Sequence, residues 1–194
     1  MNQNILIAFK VSLFTFLLIG FVYPFTVTEV ATFLFYKRAK GSLIFNEQNK
    51  VIGSELIGQN FAHPAYFFPR PSAAGNGYDG MASGGSNLGP TSKALVIRIQ
   101  QRIQTIKKDN SEPIPLDLVT ASASGLDPHI SPQAANWQAP RIALERNVSL
   151  ERVMSLIEDS IIPPQFNFLG KPRVNVLKLN LVLDQFFGPP VMAP

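Results

Sequence analysis

The sequence predicts an α+β fold in two parts: a single N-terminal transmembrane helix over residues 1–36, then one small soluble α+β domain over 37–194. Three observations predict it. Eighteen residues between Lys10 and Glu29 carry no charge, long enough to cross a bilayer as a helix. Apolar residues recur at helical spacing near 95–106 and 150–161, the mark of amphipathic helices packed on a core. Short β-rich runs stand between and after them.

Apolar character in the first element extends from Ile5 to Phe35, and no small-x-small cleavage site follows it, so it reads as an uncleaved anchor. Pro24 inside it is tolerable in lipid, where neighbouring helices accommodate a kink. Lys10 precedes the span while Lys37, Arg38 and Lys40 follow it. Those charges alone favour a cytoplasmic C-terminal domain, but the rule is weak for long segments, so the side stays open.

After the anchor, two β-rich runs around the polar tetrad 46–49 predict a hairpin from Ser42 to Leu56. Residues 62–90 are crowded with Pro, Gly, Ser and Asn, but Tyr66, Phe67, Phe68, Tyr78 and Met81 supply more apolar anchoring than a linker needs. An ordered loop is expected there. Thr91 or Ser92 caps a helix with Leu95, Ile99, Ile103 and Ile106 on one face, ending near Lys108. Ser131 with Pro132 opens a second helix that Pro140 should break or kink. Ser149 caps a third, with Leu150, Val153, Ile157 and Ile161 as its buried stripe and Pro163-Pro164 as its stop. In "VNVLKLNLVLD", Leu177, Leu179, Leu181 and Leu183 alternate with other residues, predicting a C-terminal strand.

Composition excludes several functions. The chain has no cysteine, so disulfides, thiolate nucleophiles and sulfur-ligated zinc are absent. A net charge of +4 is spread along the chain with no basic run longer than two residues, which argues against nucleic acid. The loop "SGGSNLGPT" at Ser83 to Thr91 aligns with a phosphate-binding loop at Gly84, Gly89 and Thr91, but Pro90 stands where the phosphate-reaching lysine is required. What remains is a tight glycine turn, or a helix N-terminus that receives an anion or a partner's carbonyl. In "SGLDPHISP", Asp127 and His129 lie near several serines, and a membrane-anchored hydrolase using His129 and a nearby serine is the alternative reading. The nucleophile-elbow pattern is missing, however, and Asp127-Pro128 suits a turn. Neither a catalytic nor a metal-ligating set is assigned.

Four stretches in order carry a resemblance: "RPSA" at Arg70 to Ala73, "SGGSNLGPT", "GLDPHISPQAA" at Gly125 to Ala135, and "PRVNVLKLN" at Pro172 to Asn180. Behind one anchor they resemble the C-subunit family of the Kdp potassium-transporting ATPase (the KdpC family) over essentially the whole chain. The resemblance implies a non-catalytic accessory subunit of an ATP-driven, high-affinity potassium importer in the bacterial inner membrane. Its implied partners are a channel-like potassium-translocating subunit, a P-type ATPase subunit and a small membrane subunit.

The resemblance also implies a catalytic chaperone that raises ATP affinity, with ATP held only in a ternary complex with the ATPase subunit and no cofactor tightly bound. Under that implication Ser83, Gly84, Gly85 and Ser86 look like an ABC-transporter signature loop, with Ser86 where that signature has glutamine, and Gln138 is a ribose or loop contact. Arg70, Pro71, Asn87, Gly89, Asp127, Pro128, Arg173, Asn175 and Asn180 are implied as partner or structural positions. The resemblance further places the soluble domain outside the cytoplasm, where a cytosolic ATP site is unreachable. It gives His129 no catalytic role and leaves Lys171 as solvated surface.

Overall fold

A computed structural model of the chain describes residues 2–46 and 48–190. Met1, Glu47 and residues 191–194, assigned above to the anchor, the hairpin turn and the end of the domain, lie outside them. The anchor is helical from Gln3 to Leu34, and its span is not buried against the rest of the chain. It comprises α1 (Asn2–Leu17), a π-turn at Leu18–Val22 and α2 (Tyr23–Leu34). The π-turn has a local cause. Pro24 offers no N–H and its ring crowds the carbonyl four residues back, so the helix widens just before it. Downstream of Pro24 the Thr26 hydroxyl donates to the Val22 carbonyl at 2.7 Å, so this polar side chain is satisfied within the helix itself.

Phe35 leaves helical geometry, a short α3 (Tyr36–Ala39) follows, and the chain enters the predicted hairpin. Strands β1 (Leu43–Phe45) and β2 (Val51–Ser54) pair antiparallel, Leu43 opposite Ser54. The long segment 62–90 is ordered, as expected, and runs across the domain to α4 (Lys93–Ile106). Two helices pack against each other next: α5 (Pro132–Arg146) and α6 (Leu150–Asp159). A three-stranded antiparallel sheet in the order β3 (His129–Ile130), β5 (Arg173–Asn175), β4 (Ile161–Ile162) joins them, and α7 (Val176–Phe187) closes the domain. Ile130, Ile142, Val153, Ile157, Val174, Leu179 and Leu183 form the centre of one core.

Three expectations need correction. Helix α5 continues past Pro140 to Arg146. Pro140 and Asn136, whose carbonyl loses its donor, both lie on the exposed face, where water replaces the missing bond. Helix α6 ends at Asp159, so Ile161 packs from β4 rather than from the helical stripe. The C-terminal strand is confined to Arg173–Asn175, and the leucine run is helix α7. Its buried residues Val176, Leu177, Leu179, Asn180 and Leu183 follow helical spacing, and the Asn175 side chain caps it by accepting from the Lys178 N–H at 3.1 Å. A run this rich in leucine satisfies both periods, and leucine's helix propensity with the Asn175 cap decides between them.

Candidate functional site

Residues 64–70 thread between α5 and α7, and their order rests on side chains rather than on neighbouring strands. In an extended segment, successive residues point their backbone groups to opposite sides. Phe67 turns its N–H and carbonyl to α7, where the Asn180 carboxamide accepts at 2.8 Å and donates at 3.0 Å. Phe68 turns the other way, to α5, where the Gln138 carboxamide accepts at 2.8 Å and donates at 3.1 Å. Asn180 and Gln138 are both 2% exposed. Two carboxamides thus do what two flanking strands would do for a central strand.

Two arginines extend the clamp. Arg141 donates to the carbonyls of Pro64 and Tyr66, shares the Gln138 oxygen, stacks on the Phe68 ring at 4.1 Å and pairs with Asp109 at 3.1 Å. Burial is the main reason its guanidinium is pulled down to about 10, with Asp109 opposing. Arg146 donates to the carbonyls of Ala65 (2.9 Å) and Gly188 (2.7 Å) and to the Asp184 carboxylate (2.8 Å). The Tyr66 hydroxyl donates to the same carboxylate at 2.7 Å, and burial followed by that contact pushes the phenol up to about 12. None of Arg141, Arg146, Asp184 or Tyr66 was singled out as a site residue from sequence.

The glycine loop lies against the chain's own turn at 122–125. The Gly84 N–H and the Ser83 hydroxyl both donate to the Ser124 carbonyl, at 2.9 and 3.0 Å. A Cβ on Gly85 would sit 2.8 Å from the Ala123 carbonyl oxygen. Gly125, at φ +68°, would bring a Cβ within 2.6 Å of both the Ala74 nitrogen and the Gly84 oxygen. Ser72 completes this junction: its hydroxyl donates to the Gly125 carbonyl at 2.6 Å and accepts from Tyr78 N–H at 2.8 Å. Ser86 is half-buried, Asn87 and Gly89 are exposed, and Asn87 occupies the left-handed region at φ +52°. The Gly89 carbonyl accepts from Ser92 N–H at the start of α4.

Asp127 anchors the second motif. It accepts from His129 N–H at 3.0 Å, stands 3.4 Å from His129 Nδ1 and accepts from Arg70 at 3.4 Å. Burial opposes its ionisation, but the His129 contacts and Arg70 outweigh it and hold the carboxyl below its usual range. The neighbouring Pro128 carbonyl accepts from Val176 N–H at 2.9 Å, fixing the turn to the start of α7. Arg70, Asp117, Asp127, His129, Lys171 and Arg173 line one cleft of about 270 Å³. Pro71, next to Arg70, lines a different one, with Phe61 and Arg102. Among the described residues no hydrogen bond joins His129 to a serine. Ser131, the nearest in sequence, caps α5 and faces Asp117 instead. No cluster of three or more His, Asp or Glu residues suited to a metal occurs among the described residues.

Asn175 reaches back to the hairpin, donating to the Glu55 carbonyl at 2.8 Å. The Glu55 carboxylate bridges Lys178 on α7 (2.7 Å) and Lys37 at the exit of the anchor (2.5 Å), and these two contacts lower its pKa. The motif residues brought together therefore join three places: the membrane exit, the sheet and the threaded loop.

Comparison with known proteins matches residues 5–185 to the family described as "K+-transporting ATPase, c chain". The chain belongs to the KdpC family. A "Potassium-transporting ATPase KdpC subunit" of Myxococcus xanthus is 49% identical over all of this chain and 94% of its own length. Proteins of the same name from Koribacter versatilis and Methylococcus capsulatus are 46% and 54% identical, over 95% and 87% of this chain and 95% and 90% of their own lengths. As a KdpC family member, the chain is a subunit of a potassium-transporting ATPase, and its one long apolar helix fits a single-pass membrane protein.

Proposed function

We propose that the chain is a non-catalytic accessory subunit of an ATP-driven, high-affinity potassium importer of the bacterial inner membrane. It holds the channel-like translocating subunit, the P-type ATPase subunit and a small membrane subunit in a stable assembly. Its soluble domain, residues 37–194, stands on the extracytoplasmic side and helps shape the potassium entrance. The observation that carries this reading is the family match across nearly the whole chain. A second feature supports it: the polar motif residues Gln138, Asn175 and Asn180 spend their donors and acceptors on the chain's own backbone, as a scaffold's would.

The test uses the absence of native cysteine. Ser111, which is exposed, is replaced in a Ser111→Cys chain and treated in intact cells with a membrane-impermeant maleimide. Labelling without lysis is the expected result. Protection in intact cells with labelling after lysis would place the domain in the cytoplasm and favour the reading in which Ser83 to Ser86 assist ATP binding by the ATPase subunit. In parallel, deletion of the subunit is expected to abolish growth at micromolar potassium, and normal growth would overturn the accessory role.

A further inference from the structure

Between β4 and β5 the chain makes an arm whose residues 165–172 are exposed. Residues 163–172 extend beyond the paired positions Ile162 and Arg173, and a turn at Phe166–Asn167 closes the arm, with Gln165 bridged to Leu169. Phe166 and Asn167 both take positive φ, +53° and +65°. For a phenylalanine that geometry is strained, yet here it presents the ring outward. Phe166 and Phe168 are each 74% exposed, with ring centroids 6.4 Å apart, and Leu169 is 50% exposed. From Ser160 to Gly170 there is no charge, and then come Lys171 and Arg173. Neither forms an ion pair or donates a side-chain hydrogen bond among the described residues.

We propose that this arm is a lipid-interface anchor: Phe166, Phe168 and Leu169 enter the headgroup boundary of the bilayer, and Lys171 and Arg173 meet anionic phosphates at its base. Rings and aliphatic groups without charge, next to basic side chains, make up the composition that lies in a membrane surface. Charge complementarity favours lipid over a protein groove. The tip offers no Trp, Tyr or Arg of the kind that dominates protein contacts, and the cations at its base form no ion pair among the described residues, although Asp117 and Asp127 line the same cleft. The domain that carries the arm is itself tied to the exit of the anchor. Arg173 is two residues along β5 from Asn175, about 7 Å at the rise of a strand, and Asn175 is hydrogen-bonded to Glu55, which pairs with Lys37 three residues after the span. The proposal goes beyond the assembly role and is independent of which side the domain occupies.

The test uses the full chain in vesicles, labelled with an environment-sensitive nitrobenzoxadiazole on a Phe168→Cys substitution, the unique thiol. In vesicles of phosphatidylglycerol and phosphatidylcholine the expected result is emission shifted to the blue, quenching by lipids with nitroxides near the headgroup, and protection from iodide. Lys171→Gln with Arg173→Gln in the same labelled chain, or vesicles of phosphatidylcholine alone, should reduce the nitroxide quenching. Native emission from Trp137 verifies the fold in each variant. A label that stays water-exposed and iodide-quenched in both vesicle types overturns the proposal. Protection that arises only on adding the partner subunits also overturns it, in favour of a protein groove.

Discussion

Replacing Gln138 with leucine separates a backbone clamp from a ligand contact. The side chains are close in volume, so packing changes little, but the Phe68 N–H and carbonyl and the Arg141 guanidinium donor to Gln138 lose their partners. A buried unsatisfied group costs about 1–3 kcal/mol. Three such groups, with Phe68 only half-buried and the leucine returning some apolar burial, give a net loss of at least about 3 kcal/mol. For a domain of this size that corresponds to a melting point lower by roughly 6–12 °C. The assay is thermal unfolding of the full chain in detergent, followed by the fluorescence of Trp137, the single tryptophan and the sequence neighbour of Gln138. Gln133→Leu, exposed on the same helix, serves as control and should shift stability by less than about 0.5 kcal/mol. If Gln138→Leu melts with the control while the assembled complex loses ATP affinity, the clamp argument is wrong and Gln138 is a nucleotide contact.

Other substitutions probe other parts of the domain. Asn180→Leu should destabilise comparably, and because both clamps hold one segment, the double variant should lose less than the sum of the single losses; additive losses in a double-mutant cycle would contradict a shared role. The Asp127 pKa is depressed on folding, so its contribution is present above the ordinary aspartate value near 4 and is lost as pH falls through the lower folded value. Asp127→Asn should flatten the acid limb of a stability–pH curve, and an unchanged limb would refute the assignment. Tyr66 behaves oppositely: its raised pKa favours the folded state below tyrosine's ordinary value near 10, an effect lost as pH rises through about 12, so Tyr66→Phe should flatten the alkaline limb. Gly125→Ala should cost at least about 2 kcal/mol in denaturant unfolding, since a left-handed backbone and contacts of 2.6 Å act together; near-neutrality would mean that the junction is loose.

Local patterns made much of this architecture legible. An uncharged run announces a span in one dimension, and Ser131-Pro132 announces a helix start, because each signal resides within a few adjacent residues. The leucine run at 176–187 defeated the same method: with most positions apolar, periodicity carried little information, and a strand's alternation would turn Asn180 outward although it is buried and paired. Pro140 misled for a different reason, since its cost depends on whether the orphaned carbonyl faces water. Among the site residues, the glycines of 83–89 were conspicuous, yet their place depends on the Ser122–Gly125 turn some forty residues away. Arg141 and Arg146 were not singled out because nothing near them in sequence reveals the loop that threads past from seventy-five or more positions upstream.

That threading bears on how the protein is made. The Asn180 carboxamide and the Phe67 backbone it holds are 113 positions apart, so residues 64–70, which α5 holds on one side, gain their second clamp only once α7 has been made. Contacts of such long sequence separation form late. A chain that stops short of α7 has half the clamp on residues 64–70 missing. The making of α7 is therefore the step that locks the threaded segment into the fold.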